Sequence, residues 1–192
     1  MRMVKTRKGI MPGTKPVLAA GLLLVAALGC NSKTKPTPAN FQAALNAHFT
    51  ERNECLFPTM LHFPYEVGST AASRKEAQQM EALMKSGLLT RQEDLTIHVN
   101  RYSLTPAGQR ATARFCYGHR HITGIDSSTP PVKKDGFPET QVTYKYVLED
   151  VPVWARTPQV IQAFPQLKEQ LSGDATDKAT LAQTLAGWQV PE

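Results

Sequence analysis

The chain has 192 residues, 41% apolar and 20% charged, with 14 Pro, 12 Gly and 3 Cys. That is one domain-sized core, and the composition excludes a wholly disordered, collagen-like or coiled-coil chain. Three cysteines exclude a disulfide-dense scaffold, and only one stretch is apolar enough to meet a bilayer, which excludes a multi-spanning protein.

The front of the chain reads as an export signal. Arg2, Lys5, Arg7, Lys8 and Lys15 form a basic leader with no acidic residue, and Val17 to Gly29 is uncharged and rich in Leu, Ala and Val. Such a run has the length of a signal-peptide core and is short for a membrane span. Ala27-Leu28-Gly29-Cys30 then resembles the lipobox of bacterial lipoproteins, in which a Leu-like residue, Ala or Ser, and Gly or Ala precede the cysteine. Gly29 and Cys30 match, while Ala27 and Leu28 stand in reversed order. The resemblance implies cleavage before Cys30, a diacylglycerol thioether on that residue and a palmitate-type acyl group on the new N-terminus. Two or more chains are what stable anchoring requires. In that family Asp after the cysteine favours the inner membrane, so Asn31 points to the outer membrane, inner leaflet, facing the periplasm.

Removing the signal changes the electrostatics. Residues 1–29 hold five of the 22 Lys and Arg and none of the 16 Asp and Glu, so a net +6 falls to 17 against 16, or +1. Nucleic-acid binding draws on a surplus of basic groups, which the remainder lacks. Lipidation of Cys30 leaves Cys55 and Cys116, an even pair in an oxidising compartment, and a disulfide is expected between them. Two buried free thiols are the alternative.

Residues 30–39 read as a polar, Pro-containing tether, and 40–192 as a single domain. Asn40 is read as an N-cap for a helix whose face carries Phe41, Ala44, Leu45, His48 and Phe49. Two prolines make 55–68 irregular or extended. Ser73 to Glu76 has the form of a capping box. Ala77, Met80, Leu83, Met84 and Leu88 make one stripe behind it, closed near Gly87. Leu95, Ile97 and Val99 alternate as a strand, and Thr105-Pro106 starts a short helix to Ala113. Arg114 to Ile125 reads as a strand, with Phe115, Tyr117, His119, His121 and Thr123 on one face and Cys116, Gly118, Arg120 and Ile122 on the other. Residues 126–140 read as a loop and Gln141 to Asp150 as the strand that pairs back. Thr157-Pro158 starts a helix that Pro165 kinks or splits. Residues 173–178 read as a loop, and 180–190 as a strand or a short helix, with strand favoured. The sum is α+β, with N-terminal helices, a small antiparallel sheet and one crossing helix.

Glu81 to Leu89 followed by Tyr102-Ser103-Leu104-Thr105-Pro106-Ala107-Gly108 is similar to winged-helix regulators, with a helix ending in Gly-Leu-Leu and then a strand turning at Leu-Thr-Pro-Ala-Gly. The likeness spans about 72–112 and implies a winged-helix-like unit with a reader helix near 75–87. Export and the balanced charge oppose DNA, and a fold likeness does not carry function.

Chemistry is sparse. The chain has no nucleophile elbow, zinc-protease motif, phosphate loop or calcium loop, and no cofactor is expected. His119 and His121 share one face of a strand, so one metal could bridge them, with Glu139, Asp126 or His98 as third ligand. Glu93-Asp94 and Glu149-Asp150 read as solvated acidic pairs. Phe115, Tyr117, Tyr144 and Tyr146 could line a ligand groove, against plain sheet packing. Lys133-Lys134 could meet an anionic membrane or a partner, against simple solvation. The expected function is a lipid-anchored, non-enzymatic interaction or binding module with an envelope protein partner and no nucleic acid. A periplasmic hydrolase or metal enzyme using His119 and His121 is the alternative, and a membrane-tethered winged-helix regulator the second.

Overall fold

The computed structural model describes residues 33–68 and 70–191. The expected export signal and the expected lipidation residue Cys30 lie outside the described residues. Among the described residues, no helix is long and apolar enough to cross a membrane. The elements run α1 (Pro38–Thr50), β1 (Asn53–Cys55), β2 (Tyr65–Gly68), α2 (Arg74–Lys85), β3 (Leu89–Asp94), β4 (Val99–Leu104), α3 (Pro106–Arg110), β5 (Cys116–Ser128), β6 (Val132–Lys134) and β7 (Phe137–Glu149). A 3-10 turn (Val153–Arg156), α4 (Pro158–Ala163), α5 (Pro165–Gln170), β8 (Ala175–Thr184) and β9 (Gly187–Gln189) complete them.

The fold is mostly β, which corrects the expected α+β, helix-led, winged-helix-like arrangement. Nine strands build two antiparallel sheets among the described residues. The larger has the order β1-β5-β7-β8-β9 with β6 added to β7, and the smaller the order β2-β4-β3. Bulges between Ile122 and Gly124 and between Ile125 and Ser127 bend β5, so the larger sheet curls around α1. The helical periods in the sequence are real but short. Beyond α1 and α2, at 13 and 12 residues, the helices have four to six.

Two other readings need correction. Leu95 to His98 is the turn between β3 and β4, because the pairing partner of β4 is the polar segment Leu89–Asp94 on one side and Tyr65–Gly68 on the other. A strand from upstream thus completes the sheet, and the region 72–112 is no free-standing winged unit. The supposed loop 126–140 contains β6 and the start of β7, joined by a two-residue Asp135–Gly136 turn with φ of 49° and 92°. Asp-Gly between paired runs is a strong hairpin signal. Charged flanks concealed it.

Caps sort the same way. Thr37, not Asn40, caps α1, its hydroxyl accepting from the Asn40 N–H at 3.3 Å. Ser73 precedes α2 without a side-chain cap bond. Its capping-box partner Glu76 accepts from the Tyr65 hydroxyl instead. Thr105 does cap α3, accepting from the Gly108 N–H at 3.0 Å, and Pro165 does split the late helix into α4 and α5. The segment 180–190 is the end of β8, a turn at Leu185–Ala186 and β9, paired through Ala182 with Gln189 and Thr184 with Gly187, and β8 already begins at Ala175, within the expected loop 173–178.

Two cores follow from this layout. Phe41 and Leu45 of α1 pack on Ile122, Val142, Tyr144, Tyr146, Leu181 and Trp188 inside the curl. Met80, Leu83, Tyr102, Phe115, Tyr117 and Phe164 anchor the second, where the smaller sheet, α2, α4 and α5 meet. β1 covers β5 only as far as the Asn53–His119 pair. Beyond it α1 takes over: Asn46 Oδ1 accepts from Ile122 N at 2.8 Å and Gln42 Nε2 donates to Ile122 O at 2.8 Å. These side-chain amides stand where a strand would pair.

Candidate functional site

The most charged point in the interior is Arg120, on the inward face of β5 beside Ile122. Its Nε donates to Glu54 Oε1 at 2.6 Å, and its Nη1 donates to Asp177 Oδ2 at 2.6 Å and to the Tyr144 hydroxyl at 2.9 Å. The guanidinium carbon lies 4.6 Å from the Tyr146 ring centre and 5.1 Å from that of Phe49, within cation–π range. Five elements therefore converge on one side chain: α1, β1, β5, β7 and β8.

Electrostatics keep this cluster charged and compact. Burial works against the Arg120 cation, but Asp177 and Glu54 outweigh it and its pKa is raised. Burial pushes the Tyr144 hydroxyl up to about 12, and burial also raises Tyr146 and Tyr117. Tyr117 donates to Gln170 Oε1 at 2.5 Å. A guanidinium that donates to two carboxylates and a phenol and lies within cation–π range of two rings is well satisfied, so the cluster fastens these elements together. Spacing gave no sign of it. The one legible hint was an arginine on the Cys116–Ile122 face of β5.

The four aromatics expected to line a groove do not come together at the surface. Phe115 and Tyr117 belong to one core and Tyr144 and Tyr146 to the other. All four are at most 4% exposed.

His119 and His121 do share the outward face of β5. His119 sits 3.6 Å from Glu149 Oε2 and 3.6 Å from Asp150 Oδ2, and His121 Nδ1 lies 3.7 Å from Glu149 Oε1. The suggested third ligands are elsewhere: Glu139 pairs with Lys134, Asp126 with Lys145, and His98 lies in the β3–β4 turn. Among the described residues no three of His, Cys, Asp and Glu form a set that would hold a metal. The imidazole–carboxylate distances exceed hydrogen-bond length. A ligating or catalytic histidine is normally oriented by a shorter bond to a carboxylate or carbonyl. His119 borders a cleft of about 470 Å³ with Asp150, Arg110 and Trp154.

Cys55 and Cys116 are joined by a disulfide across β1 and β5. It adjoins the ion cluster, since Glu54 precedes Cys55. No protein-family model, no curated protein and no solved structure matches the chain.

Proposed function

We propose that this chain is a lipid-anchored envelope lipoprotein, held through Cys30 on the periplasm-facing leaflet of the outer membrane, that works as a non-enzymatic interaction or binding module. The observation that carries the reading is the Cys55–Cys116 disulfide. A disulfide closing a 61-residue separation is at home in an exported protein, which agrees with the lipobox-like Ala27-Leu28-Gly29-Cys30. The self-satisfied Arg120 cluster favours a structural scaffold over a reaction centre. Exposed Leu95 and Ile97 in the β3–β4 turn suit contact with an envelope protein.

The test is the intact mass of membrane-extracted protein, with and without reduction before alkylation. A mass of residues 30–192 plus diacylglycerol and one fatty acid, with no thiol alkylated before reduction, is the expected result. A chain still beginning at Met1 with alkylatable Cys30 overturns the anchor.

A further inference from the structure

The register puts several separate features at one end of the larger sheet. Glu139 of β7 pairs with Ala182 of β8, and Thr184 pairs with Gly187. The β6–β7 turn at Asp135–Gly136 and the β8–β9 turn at Leu185–Ala186 therefore sit side by side. Leu185 is 105% exposed, Val132 67% and Phe137 55%. Two turns tipped with large apolar side chains are unusual unless something covers them.

The chain enters the domain at the same end. The Trp188 indole N–H donates to the carbonyls of Thr34 and Lys35, both at 3.1 Å. Gly187 has φ +122°, and a Cβ there would stand 3.2 Å from the Lys33 carbonyl, so glycine lets the entering segment lie against β9. Lys33 lies three positions after Cys30, a reach of ~11 Å at full extension. The lysines at this end are Lys33, Lys35, Lys133 and Lys134, all exposed, against the carboxylates Asp135 and Glu139.

We infer that these two turns form a membrane-docking foot: Phe137, Val132 and Leu185 enter the headgroup layer of an anionic bilayer while the four lysines meet its phosphates. This rests on the lipid-anchor reading, because the short reach from Cys30 is what brings the foot to the surface. The headgroup layer is ~6 Å deep on each side, so a domain tied by a reach of ~11 Å holds this end in or directly beside that layer. Apolar tips flanked by lysine are the composition that binds such a layer. The opposite end of β7, 13 residues away, is ~40 Å off and faces the compartment.

The test uses the full chain, extracted from membranes and reconstituted into vesicles of phosphatidylethanolamine and phosphatidylglycerol. Phe137→Trp and Leu185→Trp are compared with Val153→Trp, beyond the far end of β7 and 85% exposed. With brominated acyl chains, the first two lose about half or more of their added emission and the third stays within about a tenth, since interfacial side chains bury ~5–10 Å. Lys133→Glu with Lys134→Glu lowers the quenching at Phe137→Trp about twofold. Intact mass of the same sample reports the anchor separately. A lipidated chain in which all three sites quench alike overturns the foot and leaves the anchor standing. An unlipidated chain overturns both.

Discussion

Arg120 Nε and Glu54 Oε1 are 2.6 Å apart, which clamps β1 to β5 one residue before the disulfide does so covalently. The ion pair is well shielded, with the Arg120 side chain 13% and that of Glu54 20% exposed. Removing Arg120 takes away the cation that Glu54 pairs with in a poorly hydrated site. Arg120→Ala is expected to cost ~3–5 kcal/mol in urea unfolding. Glu54→Gln costs more than Asp177→Asn, because Asp177 is 48% exposed and water replaces its partner. Equal effects of the two carboxylate changes would contradict this account.

The disulfide acts on the unfolded chain. Its 61-residue separation gives ~4 kcal/mol in the loop-entropy model. Paired Cys55→Ser and Cys116→Ser substitution should lower the unfolding free energy in water by about that amount, with a lower urea midpoint and a higher denaturant slope as the unfolded state expands. A midpoint unchanged by reduction sinks the prediction.

All five tyrosines of the chain have raised pKa values. Tyr65 stands at about 12, chiefly through its bond to Glu76, and Tyr144 at about 12, chiefly through burial, both against 10.0. The folded state therefore holds its phenolic protons more tightly than the unfolded one. The resulting stability is intact below pH 10 and is lost as pH rises toward 12. Absorbance titration of native protein should show no phenolate step near pH 10, and urea midpoints should fall through that window.

Trp188→Phe keeps the edge-to-face packing on Phe41, whose ring centre is 5.1 Å away, and deletes the indole N–H. About 1 kcal/mol of stability is at stake. The sharper readout is tryptic cleavage after Lys33, expected to speed up in the variant. Unaltered cleavage means that the indole bonds do not hold the entering chain.

Local signals carried parts of this fold faithfully. Thr105-Pro106, Pro165 and the alternation around Tyr144 each encode an element in a few adjacent residues, and each is where the sequence puts it. What failed was pairing at a distance. Nothing near Tyr65 states that it will lie opposite Tyr102, and without that strand the segment after it read as a winged helix. Leu95 and Ile97 alternate as a strand would, yet they project from a turn, since alternation reports only a face and not the presence of a neighbour to bury it. The site was illegible for a related reason. Arg120, Glu54 and Asp177 come from three strands, and their meeting depends on the curl of the sheet. His119 and His121 were correctly read onto one face, but the carboxylates beside them come from the cross-strand end Glu149–Asp150.

The amides of Gln42 and Asn46 bonded to Ile122 give α1 a double duty. The helix that fills the curl is also the stopper on an otherwise open strand. When α1 lifts, the hydrophobic interior and the unpaired edge are uncovered in the same event.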